Sequence, residues 1–497
     1  MEAVNKSMAK GAFWTILFRF VTRGIGLIST VVLARLLVPA DFGLVAMAMS
    51  IIATLDLLGS FSLDVVLIQK PDASRDHYDT VWTFNVIISA LQGVLLLVIS
   101  PLAANFYHDN RLTLVIQLLS LGIFVQGFEN IGILAFRKDL EFHKDFKFQV
   151  LKKLASFSIT LTLAVWLRNY WALIGGTLVG IVMGVVLSYR AHHYRPKFSF
   201  VARSELFHFS KWLFINNLIT FLNSQSANFI LGKVAGSKVL GLYSISYEIS
   251  TLPTSDLVAP INRAIFPGYS KMAHDLATLR QGFLNVISAI ALVAFPVCTG
   301  IVLVADPIVR ITLGDNWLET IPLIQTLAVA GLTQALQTNK SSVYLALGKP
   351  RILTLLAAIH CFVLIPAVAW SATANGALGA AHAITTVSLI LMPLNYLVLF
   401  KVIRLPFYDF IRKLWRPIVA TLIMILSVEI SIFFRFLPES FFINLFNLIF
   451  ETVIGCVTYS GSIFILWKVS GMEPGVELVV LGQISRRLKS IFKNDGF

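Results

Sequence analysis

The sequence predicts an all-α integral membrane protein of about 14 transmembrane helices, built as two six-helix lobes related by a pseudo-two-fold axis along the membrane normal, plus two extra C-terminal helices. Three observations carry this. The first is composition: of 497 residues, 57% are hydrophobic and only 13% charged, with a mean hydropathy of +0.80. A soluble domain averages about 25% charged residues. The second is the recurrence of apolar stretches of span length, and the third is an internal repeat.

A span needs about 20 mostly apolar residues. Such stretches fall near 13–37, 42–66, 80–104, 112–135, 146–167, 170–189, 211–232, 239–266, 282–305, 320–346, 352–372, 377–400, 415–436 and 442–467. The N-terminal "MEAVNKSMAKGAFW" has no small-residue cleavage site behind a short apolar core, so the first stretch is read as a retained helix. Cys298, Cys361 and Cys456 all lie in apolar stretches and read as packing residues, with no metal or cofactor implied. With a cytoplasmic N-terminus, the cytoplasmic loops hold about 27 Lys and Arg against about 7 opposite, the asymmetry of the positive-inside rule. Both termini are therefore expected in the cytoplasm. The net charge of +14 is accounted for by anionic headgroups beside those loops, without nucleic acid. The tail "QISRRLKSIFKN" sets Ile484, Leu488 and Ile491 on one helical face, a pattern suited to lying on the membrane surface.

The repeat fixes the expected organisation. A shift of 198 residues lays Trp14 on Trp212, Thr22 on Thr220, Leu33 on Leu231 and Gly43-Leu44 on Gly241-Leu242, with Arg35 meeting Lys233. "VIQLLSLGIF" in the fourth stretch resembles "LIQTLAVAGL" in the tenth. The expected division is an N-lobe over 1–205, a C-lobe over 206–405, and the last two helices with a basic tail over 406–497. A parallel duplication of this kind places a transport site between the repeats, near the midplane.

Charge inside the first stretch then asks for a reason. Arg19 and Arg23 are one helical turn apart and share a face, continued by Gly26 and Thr30. The seventh stretch is unusually polar, carrying Asn217, Ser224, Gln225 and Asn228 among others. Two such faces imply a water-filled cavity with one cationic wall and one hydrogen-bonding wall. The competing reading is structural pairing: Asp56, Asp64, Glu129, Glu248 and Asp256 also lie in apolar stretches and are available to bridge Arg19, Arg23 or Arg263. Lys152 and Lys153 are expected to snorkel to the interface. Short loops, with no acidic metal site and no glycine-rich nucleotide loop, argue against an enzyme.

"STVVLARLLVPADFGLVAMAMSI", followed by "DVVLIQ" and "TVWTFNVIISA", resembles the N-terminal part of Wzx-type bacterial polysaccharide transporters in the MOP exporter superfamily, nearest the colanic acid exporter branch. The resemblance implies a flippase that moves undecaprenyl-diphosphate-linked oligosaccharide repeat units across the bacterial inner membrane by alternating access, for exopolysaccharide or O-antigen synthesis. It implies arginines of the first helix facing a cationic cavity, a pattern that Arg19 and Arg23 match and that Asn217 on the seventh helix departs from. Arg19, Arg23 and Arg263 are then the candidate diphosphate ligands, since guanidinium matches phosphate as a planar bidentate donor. Asn217, Ser224, Gln225 and Asn228 are the candidate glycan ligands. Asp56, Asp64, Glu129 and Glu248 are candidates for coupling to a proton or sodium counter-ion, and membrane lipids and polysaccharide polymerase or export machinery are the further expected partners. A MATE-like multidrug/cation antiporter is the alternative, with Asp56, Glu129 or Glu248 lining a cation site; a membrane scaffold for glycan assembly is a third reading, which leaves the polar seventh helix without a purpose.

Overall fold

A computed structural model describes residues 2–59, 67, 73–139, 141–202, 211–433 and 441–471. Asp64 and the basic tail segment lie outside the described residues, as does the side chain of Arg263. Among the described residues there is no strand. Among the described residues, nine helices are long and apolar enough to cross a membrane, or ten with one bent pair, and the helices as a whole are consistent with the expected set when the two broken at glycines are each read as two. The chain divides into two compact units, Met1–Ser244 with Thr312–Asn316, and Ile245–Ile311 with Trp317–Phe497.

The first unit runs through α1 (Glu2–Leu36), α2 (Pro39–Gly59), α3 (Arg75–Tyr107), α4 (Arg111–Gln126), a 3-10 turn at Ile131–Ile133 leading into α5 (Leu134–Lys138), α6 (Phe142–Leu167), α7 (Trp171–Ala191) and most of α8 (Lys211–Leu252). α3 shows why these stretches are helical on both counts. Its buried face includes Val86, Gly93, Leu96 and Ala103, while Leu91, Val94, Val98 and Leu102 project outward at helical spacing and stay exposed. An apolar outer stripe of that length is what a bilayer covers. Ser74 and His77 cap its start, with the Ser74 N–H donating to His77 Nδ1 at 3.2 Å, and His108 closes its end in the left-handed region.

α7 carries Gly176, Gly180 and Gly184 on one face. A Cβ at Gly176 would overlap the Thr160 side chain, and one at Gly180 would meet Ser156 Cβ at 3.0 Å, so α6 and α7 approach closely along a small-residue seam. After α7 the chain runs extended across the N-terminal end of α3. Asp79 there accepts from Tyr194 Oη at 2.7 Å and from the Lys197 N–H at 2.8 Å, and Thr83 Oγ1 accepts from the Ser199 N–H at 3.0 Å.

The repeat is visible in contacts inside this unit. α8 breaks at Gly236, whose φ of 78° is a left-handed conformation that glycine adopts without steric cost. Just past the break, a Cβ on Gly43 would overlap the Ser237 carbonyl, and one on Gly241 would overlap the Pro39 carbonyl. In the register of the repeat, Pro39 corresponds to Ser237 and Gly43 to Gly241, so the crossing is reciprocal, as a local two-fold requires. The paired charges are used alike: Arg35 Nε donates to Thr312 O at 3.4 Å, and Lys233 Nζ lies 2.8 Å from His108 Nε2 and over the Phe106 ring. The sequence repeat assigns α8 to the second copy. The first half of α8 nevertheless packs with α2 and with Tyr107 at the end of α3, which is why it belongs to the first compact unit.

The second unit continues through a wide π-type turn at Pro253–Val258, α9 (Ala259–Met272), α10 (Leu276–Leu303), α11 (Ala305–Thr312), α12 (Thr320–Ala346), α13 (Pro350–Ile403, bent at Asn375 and Gly376), α14 (Phe407–Phe433) and α15 (Phe441–Val469). Its core joins Phe283 and Ile287 of α10, Tyr344 of α12, Leu399 and Ile403 of α13, and Phe410 of α14. α15 packs on α14 through Tyr459 and Met424, and Tyr459 Oη donates to Leu292 O at 2.9 Å. Cys298 and Cys361 are buried as packing residues, Cys456 is exposed, and all three are unbridged.

Candidate functional site

The polar residues of the first unit gather where a membrane helix is interrupted. α4 stops at Gln126 and the helical chain resumes at Ile131, the two pieces bent by 67°. Asn130, fully buried, pins the break. Its N–H donates to Ser188 Oγ at 2.9 Å and its Nδ2 to Tyr194 O at 2.7 Å, while its Oδ1 accepts from the Gly132 N–H at 2.9 Å. Gly127 faces α3 so closely that a Cβ would stand 2.7 Å from Ser89 Cβ.

Non-helical backbone at membrane depth is tolerated where it is buried in protein or lines a wet cavity. Here a cavity of about 630 Å³ lies beside the break. Its aliphatic wall comes largely from Met49, Ile52, Ile123 and Ile181. The polar wall converges from six elements: Asp56 on α2, Asn85 and Gln92 on α3, Gln126 at the end of α4, Glu129 in the break, Lys152 on α6 and Thr177 on α7.

Two contacts set its electrostatics. Lys152 Nζ lies 3.1 Å from Glu129 Oε2, with side chains 27% and 21% exposed. The α7 seam makes room for that ammonium, because a Cβ on Gly184 would sit 2.7 Å from Lys152 Nζ. Gln92 Nε2 donates to Leu55 O at 3.0 Å and reaches Asp56 Oδ1 at 3.4 Å. The cavity thus holds one neutralised pair and one amide-oriented carboxylate. Among the described residues, no group of three or more His, Cys, Asp or Glu is placed to hold a metal.

The structure brings together two of the sequence-predicted residues, Asp56 and Glu129, and none of the other described ones lines the cavity with them. Arg19 and Arg23 are half-buried on α1 and do not line this cavity. The partners of Asp56 and Glu129 are Gln92 and Lys152, so these two carboxylates do not bridge the α1 arginines. On α8, Asn217 is half-buried, Asn228 Nδ2 donates to Gln225 Oε1 at 2.8 Å, and the exposed Ser224 turns its hydroxyl to Phe221 O at 3.1 Å. Glu248, half-buried, lies in the second unit. Lys152 corrects the snorkelling expectation: a carboxylate within ion-pair distance holds its ammonium in the cavity. Sequence reasoning missed Lys152, Gln92, Gln126 and Thr177 as site residues. The available signal was the Gly176, Gly180, Gly184 spacing, which marks the face of α7 that meets α6.

A bundle of membrane-crossing helices with an internal duplication, an interrupted helix and a cavity with a polar wall is the architecture of a multi-pass transporter. The chain belongs to the polysaccharide biosynthesis protein family, whose model matches residues 32–322. It is 27% identical over 420 residues to the lipopolysaccharide biosynthesis protein WzxC of Escherichia coli, covering 84% of this chain and 85% of the relative. Among solved structures, the fold matches the lipid II flippase MurJ in an inward closed conformation with a TM-score of 0.73 at 14% identity, over 92% of this chain and 99% of that one. It also matches an inward-facing multidrug MATE transporter of the MOP superfamily with a TM-score of 0.62 at 15% identity, over 76% and 94%.

Proposed function

We infer that the protein is a flippase for undecaprenyl-diphosphate-linked oligosaccharide repeat units in the bacterial inner membrane, with both termini cytoplasmic, working by alternating access. The observation that carries the reading is the pair Arg19 and Arg23, half-buried and one turn apart on a membrane helix of a chain from a polysaccharide family. A charge at the bilayer centre costs about 2.5–3.5 kcal/mol on insertion scales, and an anionic headgroup offsets that cost. Arg263 is the third candidate for the diphosphate. Asn217, Ser224, Gln225 and Asn228 offer donors and acceptors to sugar hydroxyls, and the polyprenyl tail stays in lipid throughout. Asp56, Asp64, Glu129 and Glu248 are the candidates for proton or sodium coupling. The names of similar proteins, a lipopolysaccharide biosynthesis protein and a lipid II flippase, support a lipid-linked glycan as the substrate class.

The MATE-like fold match raises the cation-antiporter reading. An organic cation wants uncompensated carboxylates, yet Glu129 is already neutralised by Lys152, and Arg19 and Arg23 repel cations. The test is equilibrium binding by the purified protein of undecaprenyl diphosphate and of the organic cation ethidium. Lipid diphosphate binding that is lost in Arg19→Ala and Arg23→Ala supports the flippase; ethidium binding with no diphosphate binding overturns it.

A further inference from the structure

We propose that the cavity in the first unit is a subsite for a neutral, polyhydroxylated sugar unit of the lipid-linked glycan, an inference that rests on the flippase reading. The interruption that exposes it belongs to one copy of the repeat alone. In the register that lays Val115 on Leu323, Glu129 falls on Gln337 and Lys152 on His360. The second-copy helix α12 nevertheless runs unbroken from Thr320 to Ala346. Gln337 there accepts from Lys340 Nζ at 3.0 Å and from Asn395 Nδ2 at 2.8 Å, so its carbonyl oxygen is committed within the protein. A duplicated helix that breaks in one copy, and opens onto a polar cavity where it breaks, marks a ligand site, because discontinuous membrane helices place backbone and side-chain polar groups where cargo or ions bind.

Size and charge select the ligand. A volume of about 630 Å³ lies within the about 300–1,000 Å³ span of small-molecule sites and is far larger than the tight cage a bare cation needs. Glu129 is paired, so among the described lining residues Asp56 is the carboxylate without a cation, which makes the cavity hostile to a diphosphate. Uncharged donors and acceptors dominate the remaining polar wall: Asn85, Gln92, Gln126 and Thr177. No aromatic ring is among the described lining residues, so they offer none of the stacking that a planar organic cation uses. Amides, a hydroxyl and an oriented carboxylate are the groups that recognise sugar hydroxyls.

The test compares two lipids on the intact protein in nanodiscs: undecaprenyl diphosphate carrying a neutral hexose trisaccharide, and bare undecaprenyl diphosphate. Gln126→Leu and Thr177→Val are the variants, each checked by thermal melting for native stability. About a tenfold loss of affinity for the glycan-bearing lipid, with affinity for the bare lipid kept, is the expected result. Equal loss for both lipids, or no loss for either, overturns the subsite. So does a variant that binds both lipids normally but no longer responds to an imposed proton or sodium gradient, which assigns the cavity to a coupling ion. Wild-type protein that binds neither lipid overturns the flippase reading and the subsite with it; wild-type protein that binds both lipids equally overturns the subsite alone.

Discussion

Breaking the Glu129–Lys152 pair is the perturbation whose size follows most directly from the geometry. At 3.1 Å and an effective dielectric of about 20, the gross attraction is about 5 kcal/mol, and desolvation of the two ions offsets much of it. Removing one partner of a fully buried pair costs about 3–5 kcal/mol. With side chains 27% and 21% exposed, water reaches the stranded ion, so Glu129→Gln and Lys152→Met should each cost about 1–3 kcal/mol. The double variant strands neither charge and should cost clearly less than the sum, with a coupling energy of about 1–2 kcal/mol. The assay is a double-mutant cycle on reversible unfolding in mixed detergent and lipid micelles. Additivity within about 0.5 kcal/mol would refute the pairing and the electrostatic account of the cavity.

Three other expectations follow from the same contacts. Gly184→Ala puts a methyl 2.7 Å from Lys152 Nζ, so it should cost about 1 kcal/mol and shrink the coupling energy measured in that cycle; an unchanged coupling energy contradicts the seam's role. Gly43→Ala and Gly241→Ala each drive a methyl into a backbone carbonyl that cannot retreat as a side chain does, and both should lose about 1–3 kcal/mol in the same unfolding assay; a large effect in one and none in the other argues against a reciprocal crossing. His192, in the extended segment after α7, is held below the usual imidazole value by partial burial and then by the neighbouring His193 and Lys144. The unfolded chain therefore binds the proton more readily, and stability present above about pH 6.5 is lost as pH falls below it. Hydrogen-exchange protection factors over residues 192–202, with the pH dependence of the intrinsic amide rates divided out, should fall between pH 7 and pH 5.5, and a His192→Gln variant should lose that dependence.

Much of the fold was legible because a bilayer imposes few solutions. Apolar length alone located α3, α10 and α15, and the shift that laid Gly43 on Gly241 showed the repeat, though not that the two helices meet at those residues. The site was legible only in part. Asp56 and Glu129 stood out as charges in apolar stretches, but their partners did not, because Gln92 and Lys152 lie far from them in the chain and reach them only through the packing of α3 on α2 and the break after α4. Lys152 read as a snorkelling residue because its distance from the helix end was visible and its carboxylate was not. The break itself was hidden: "VQGFENIGI" stays apolar enough to read as one continuous span, and what interrupts it is the hydrogen bonding of Asn130 to Ser188 and Tyr194, two residues brought near by α7 and the segment that follows it.

The central claim is that the protein moves a lipid-linked glycan across a bilayer and grips its diphosphate with arginines of α1. The most direct measurement reconstitutes the purified chain in liposomes with fluorescently labelled undecaprenyl-diphosphate oligosaccharide and follows its transfer between leaflets by protection from an impermeant quencher. The account predicts transfer well above protein-free liposomes, near-complete loss in Arg19→Ala and Arg23→Ala, and partial retention in the corresponding Lys variants, which keep the charge and lose the planar fork. No protein-dependent transfer, or transfer that both alanine variants sustain at the wild-type rate, would contradict it.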